Sequence, residues 1–163
     1  DSIIWLWKEN ELMIKNLQKE AINRSVNPNR LVFSSSMPAD KHLARLKLAD
    51  IALDTFTYNG HTSTSDCLWA GTPVITLKGK HFASRVASSL LTAVGLPELI
   101  THSQKEYEEL AIKIAKEPKL LKNLKAKLLS NRLTKPLFDT KKFVKNLEKL
   151  YLNIWRKNRQ KKN

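Results

Sequence analysis

Short β-rich runs alternate with helical patterns through the first hundred residues, and this alternation limits the possible folds more than any other feature. Ser2–Trp7 (SIIWLW) reads as a buried strand. Glu11–Val26 carries Leu12, Ile14, Leu17, Ala21 and Ile22 near helical spacing and stops before NPNR, a turn signal. Leu31–Phe33 reads as a second strand, and Pro38 and Asp40 open a helix running to Ala49. Ile51–Leu53 is a third strand, followed by a glycine-bearing loop and a helix over Thr64–Ala70. Gly71 is placed to end that helix, and Pro73 prevents its continuation. Val74–Leu77 is a fourth strand, Ala83–Val94 a helix closed by Gly95, and Glu98–Ile100 a short edge strand. Such alternation implies βαβ units with right-handed crossovers. The expected class is therefore α/β, with a parallel sheet of four to five short strands flanked by helices.

The pattern changes after residue 103. Gln104–Lys116, Lys119–Arg132 and Asp139–Arg159 all read helical, with breaks at Pro118 and Pro136. Phe143, Leu147, Leu150, Tyr151 and Ile154 share one stripe of the last segment. Residues 1–103 are expected to form the strand-bearing lobe. Residues 104–163 are expected to complete it as a helical extension within a single structural domain. The chain opens directly on a strand-like segment without the basic and small-residue features of a signal peptide, which suggests a fragment of a larger protein.

Charge divides in the same way. Residues 1–112 hold 12 Lys/Arg and 12 Asp/Glu, whereas residues 113–163 hold 17 and 3, so the net charge of +14 lies in the C-terminal third. A solvated helical face is the plainer reading. Contact with an acidic partner or nucleic acid is the sharper one, but no aromatic platform or known motif accompanies it, so nucleic acid is not the expected partner. No apolar run approaches the roughly 20 residues needed to cross a bilayer, and no membrane partner is expected. The single Cys67 excludes an internal disulfide framework and a cysteine metal cluster, and makes the cytoplasm the default location. Cys67 itself sits in the apolar run CLWAG and reads as a small buried residue. His81 and His102 lack partners at metal-ligand spacing, and no nucleophile motif such as G-x-S-x-G is present.

Two loops could carry chemistry, because ligands of parallel sheets bind beyond the carboxyl ends of the strands. In SSSMPADKHLAR, His42 and Arg45 are three apart at a helix start and share a face that could stack on and bond a planar base. On spacing alone, an ordinary polar helix start accounts for them as well. In NGHTSTSD, Asn59 and Gly60 can make a sharp turn, with Gly60 free to take positive φ. His61, Thr62 and Ser63 then reach a helix N-terminus, whose free N–H groups and dipole favour an anion. Asp66 in the first turns could accept bonds from ribose hydroxyls. Helix capping by a Ser or Thr is the plainer alternative, and the loop is neither GxGxxG nor a P-loop.

The run LADIALDTFTYNGHTSTSDCLWAGTPVITLKGKHFASRVASSLLTAVGLPELI, with RLVFSSSMPADKHLAR before it and KPLFDTKKFVKNLEKLYLNIW near the end, resembles the C-terminal catalytic half of the O-linked N-acetylglucosamine transferases. NGHT, WAGTP and FASRVA in one register make the resemblance specific, and it covers nearly the whole chain. It implies the C-terminal, Rossmann-like lobe of a GT-B enzyme that binds UDP-N-acetylglucosamine. It implies inverting transfer to Ser or Thr hydroxyls of protein acceptors, with no cofactor and no metal. By position, His42 and Arg45 match the uracil contacts, and His61, Thr62 and Ser63 the diphosphate loop, with His61 the catalytic candidate nearest the sugar-phosphate. Asp66 matches the ribose contact.

This sequence departs from the family pattern in three ways. Ser63 stands where a second threonine is frequent, and Ala39 where some relatives carry a lysine, with Lys41 beside it. The family's phosphate-binding lysine, N-terminal lobe and tetratricopeptide repeats would lie upstream of residue 1. The alternatives to this reading are a GT-B transferase using another UDP-sugar, or a non-catalytic module whose basic third binds nucleic acid or an acidic partner.

Overall fold

The computed structural model describes residues 2–160. The chain forms two compact units, residues 1–42 and 43–163, with the division falling inside helix α2 (Ala39–Leu46).

In the first unit, β1 (Ile4–Trp7) and β2 (Leu31–Ser34) pair in parallel, with Trp5 opposite Val32 and Leu6 opposite Phe33. The Trp5 indole donates to the Ser34 hydroxyl at 2.7 Å. Helix α1 (Glu11–Asn23) connects them, and the Asn10 side chain caps it by accepting from the Met13 amide. The helix ends three residues before the expected Val26. Ser25 takes a left-handed φ of 57°, and the amides of Arg24, Ser25 and Val26 turn back onto the carbonyls of Ala21 and Ile22. The first strand is not buried as its composition suggests: Ile4 and Trp7 are exposed. A two-stranded ribbon of four-residue strands is too small to enclose both of its faces.

The second unit holds the core. Strands β3 (Ala52–Leu53), β4 (Val74–Leu77) and β5 (Ile100–Thr101) form a parallel sheet in the order β3-β4-β5. The four to five short strands expected from the sequence are present as five, each paired in parallel within its own unit, but they form a pair and a triplet and not the single sheet expected. In the central strand β4, Val74, Ile75 and Thr76 are all buried, as a strand covered on both faces requires. Its helices are α3 (Thr62–Ala70), α4 (Val86–Val94), α5 (Gln104–Lys116), α6 (Pro118–Thr134) and α7 (Thr140–Gln160). Leu68, Ile75, Leu91, Leu96, Leu99, Ile114 and Leu128 form the interior.

Local signals explain most boundaries. Gly71 and Gly95 end α3 and α4 in left-handed conformations, φ 96° and 76°. Ser103 caps α5 by accepting from the Glu106 amide, and Glu106 accepts in turn from the His102 amide. Pro118 opens α6 at a position where its missing N–H costs nothing. Other expected boundaries change, among them the end of α2, which stops at Leu46 and not at Ala49. The helix expected from Ala83 splits into a 3₁₀ turn (Phe82–Ser84) and α4, because the Gly79 amide folds back onto the Ser84 carbonyl. Pro97–Leu99 is also a 3₁₀ turn, so the edge strand begins only at Ile100.

Helix α6 fastens the ends of several neighbours. The Lys125 ammonium donates to the Ala49 carbonyl at 3.0 Å, just ahead of β3. Asn131 donates to the Val94 carbonyl at 2.9 Å at the end of α4, and Arg132 donates to the Trp69 carbonyl near the end of α3. Helix C-termini leave carbonyls without intrahelical partners and carry partial negative charge, so these donors sit where they are most useful. Arg132 also lies over the Trp69 ring, 5.0 Å from its centroid.

Leu91→Ala is expected to lower the unfolding free energy by about 2–5 kcal/mol, from lost burial plus the cavity left behind. Phe82→Ala, at an exposed ring, should shift it by less than about 0.5 kcal/mol. Urea unfolding of the two variants beside the parent checks the contrast.

Candidate functional site

The site is built where β3 ends. Asp54 directly follows Leu53 and is buried. Its amide donates to the Ile75 carbonyl at 3.0 Å, which continues the strand pairing by one residue. Its two carboxylate oxygens face different elements. Oδ1 accepts from the Gly60 amide at 2.7 Å, and Oδ2 accepts from the Thr76 hydroxyl of β4 at 2.5 Å. The Tyr107 hydroxyl of α5 donates to the Asp54 carbonyl at 2.9 Å.

The loop between Asp54 and α3 is tightly made. The Thr55 hydroxyl donates to the Tyr58 carbonyl at 2.6 Å. Thr57 sits at φ 67°, a costly conformation for a β-branched residue. Asn59 is fully buried: its amide donates to the Ala83 carbonyl and its side-chain nitrogen to the Thr55 carbonyl, while its Oδ1 has no partner. Gly60 does not take the positive φ anticipated for it, since Gly71 and Gly95 are the described glycines that do. Its requirement is space. A Cβ there would lie 2.6 Å from both the Ser63 and the Thr64 hydroxyl oxygens.

His61, φ −104°, occupies the N-cap position of α3 and makes no side-chain cap bond. The capping alternative, a Ser or Thr at that place, is therefore not what the chain adopts. α3 also begins two residues earlier than its apolar pattern suggested, so Thr62 and Ser63 are its first helical residues. Thr64 is buried, and its hydroxyl donates back to the Gly60 carbonyl at 2.8 Å. Thr62 and Ser63 are exposed, and Asp66 is half-buried one turn further on. The helix thus presents first-turn amides without a side-chain cap, next to two exposed hydroxyls. A cavity of about 160 Å³ adjoins them, lined by Asp54, Thr55, Gly60, Ser63, Thr64 and Cys67 above Ala52, Leu53 and Val74.

The His61 ring is stacked on Tyr58, with centroids 5.0 Å apart and planes 16° from parallel, and Phe82 meets it edge-on at 6.0 Å. Its Nε2 is buried without a hydrogen-bond partner. Histidine and hydroxyls predicted from the sequence are therefore brought together at one helix end. His42 and Arg45 lie on consecutive turns of α2, both half-buried; the His42 amide donates to the Pro38 carbonyl at 2.8 Å. Lys41 is exposed on the same helix, and Ala39 is its first residue. Among the described residues, no group of three His, Cys, Asp or Glu is placed to hold a metal ion. No helix among them is long and apolar enough to cross a membrane.

Burial raises the Asp54 pKa, against the opposing effects of the Thr76 and Gly60 bonds and the nearby His61. Burial, reinforced by the Asp54 charge, also pushes the Tyr107 hydroxyl upward. The Cys67 thiol is pushed up to about 11 by burial first and by the charges of Asp66 and Asp54 second. Asp54, Asn59 and Thr76 were missed as site residues. The available signal was an acid placed directly after a short apolar strand and before a turn.

Residues 1–147 match the model of glycosyl transferase family 41. The chain belongs to that family. It is 36% identical over 156 residues to the UDP-N-acetylglucosamine--peptide N-acetylglucosaminyltransferase of Caenorhabditis elegans, covering 96% of this chain and 14% of the relative. It is 40% identical over 156 residues to the probable UDP-N-acetylglucosamine--peptide N-acetylglucosaminyltransferase SEC of Arabidopsis thaliana, covering 95% and 16%. A solved structure of a Thermobaculum terrenum O-GlcNAc transferase mutant superposes with a TM-score of 0.89 at 32% identity, over 95% of this chain and 30% of that one. The family 41 chain described here therefore spans a small part of each relative. The match supports the α/β, GT-B-type architecture read from the sequence.

With the thiol pKa near 11, Cys67 is almost entirely protonated at neutral pH and is a poor nucleophile. Alkylation by iodoacetamide in the folded protein should be slow at pH 7–8. Its rate should rise as pH approaches 11, which mass spectrometry of the Cys67 peptide would follow.

Proposed function

We propose that this chain is the donor-binding lobe of an inverting, metal-independent glycosyltransferase that moves N-acetylglucosamine from UDP-N-acetylglucosamine to Ser or Thr hydroxyls of proteins. The observation that carries the reading is the start of α3, where no side chain caps the helix and Thr62 and Ser63 stand exposed beside it. A diphosphate leaving group gains negative charge as the glycosidic bond breaks. First-turn amides, the helix dipole and two hydroxyls fixed in advance would stabilise that charge without a metal ion. In this reading Thr62 and Ser63 hold the diphosphate, and His61, with its unpartnered Nε2, contacts the sugar-phosphate. Asp66 accepts from the ribose, while His42 and Arg45 hold the uracil. The names of the curated relatives support the choice of donor and acceptor.

The remaining machinery, an N-terminal lobe and tetratricopeptide repeats that hold acceptor proteins, belongs on this reading to the longer protein. Helix α7 supports that arrangement. Phe143, Leu150, Tyr151, Ile154 and Trp155 are exposed along it and offer an apolar stripe to another part of the polypeptide. The cytoplasm, where nucleotide-sugar donors and reduced Cys67 are compatible, is the proposed location.

Calorimetric titration with UDP, and with a short DNA duplex, at two salt concentrations tests this reading. UDP binding should be weak for residues 1–163 alone and should fall about 10-fold in Asp66→Ala and in His42→Ala, the loss of one contact to the nucleotide. The isolated chain should transfer no sugar. Salt-sensitive DNA binding with no response to UDP would instead favour a nucleic-acid module.

A further inference from the structure

Asp54 poses a problem for the donor-site reading. A carboxylate close behind an anion site works against the anion, yet Asp54 is buried there. Its bonds supply the answer. Gly60 is held on both sides of its Cα, its N–H by Asp54 Oδ1 and its carbonyl, in the next peptide group, by the Thr64 hydroxyl. Asp54 is itself held by Thr76 on the central strand, and its own carbonyl by Tyr107 on α5. The Thr101 hydroxyl extends the chain of bonds by donating to the Thr76 carbonyl at 2.9 Å. The start of α3 is thereby referenced to all three strands of the sheet and to a helix beyond it. Both carboxylate oxygens are occupied by donors that are not ligand, so neither lone-pair system needs to face the anion.

We propose that Asp54 is a positioning residue for the donor site: through the Gly60 amide it fixes the loop so that Thr62 and Ser63 meet the diphosphate. The inference rests on the donor-site reading above. Its distinctive consequence is that the acceptor geometry matters and the charge does not. Asparagine can keep Oδ1 on the Gly60 amide while its nitrogen donates to the Thr76 hydroxyl oxygen, whereas alanine can do neither.

The test uses the full-length protein. UDP affinity is measured by calorimetry, and kcat with separate KM values for donor and acceptor is measured for Asp54→Ala, Asp54→Asn and Thr76→Val. Asp54→Ala should raise the UDP Kd and the donor KM by about 10-fold while leaving the acceptor KM unchanged. Asp54→Asn should stay within about 3-fold of the parent. Thr76→Val, which keeps the shape of the side chain and removes one anchor, should raise the donor KM alone. It decides the matter if Asp54→Ala does not fold. The assignment is overturned if Asp54→Ala binds UDP as the parent does, if Asp54→Asn is as impaired as alanine, or if Thr76→Val leaves the donor KM unchanged. A parent protein that fails to bind UDP overturns the donor-site reading and takes the assignment with it.

Discussion

The backbone of Gly60 is the point on which the candidate site depends. Its N–H is bonded to Asp54 and its carbonyl to Thr64, and a Cβ there would lie 2.6 Å from the Ser63 and Thr64 hydroxyl oxygens. A backbone donor and acceptor screened from water in this way must both be satisfied. Once they are, the polar groups next in sequence are left over: the first-turn amides of α3. Unsatisfied hydrogen-bonding capacity therefore gathers at this end of α3, where the buried Asn59 Oδ1 and His61 Nε2 also lack partners. On the donor-site reading, this concentration is what separates the start of α3 from an ordinary helix start.

Legibility from the sequence followed the physics of each signal. Strand β4 and the ends of α3 and α4 were clear because burial on both faces and left-handed C-caps impose strong, local residue preferences at Val74–Leu77, Gly71 and Gly95. The exposure of Ile4 and Trp7 was not, because composition states what a strand could bury and not what is present to cover it. The hydroxyl-rich loop was visible, but the use of each hydroxyl was not. Thr64 turns inward to its own backbone while Thr62 and Ser63 face solvent, a difference set by helical phase and by where α3 begins. Asp54 escaped notice because its partners, Thr76 and Tyr107, lie 22 and 53 residues away. No short window contains them.

The basic C-terminal third also looks different once placed in the fold. Lys125, Asn131 and Arg132 on α6 are committed to backbone carbonyls, and Lys127 to Glu98 at 2.6 Å. Part of what composition presents as a surface charge is thus internal carpentry, fastening loop and helix ends. Helix α7 is the exception. Its cations and its apolar stripe are both in the open, and it is the element whose sequence asks most plainly for a neighbour.

Arg132 has a consequence for the far end of the helix it holds. Helix α3 has nine residues, so at about 1.5 Å per residue its two ends are only ~13 Å apart. One end is clamped by a guanidinium that bonds the Trp69 carbonyl and covers its ring; the other end is the open cradle. A helix this short has little cooperative reserve, and fraying from one terminus reaches the other within two turns. The clamp therefore acts as a tensioner. On the donor-site reading, slack introduced at Arg132 is felt as looseness at Thr62 and Ser63, so that substitutions on α6 change UDP binding without touching a ligand atom.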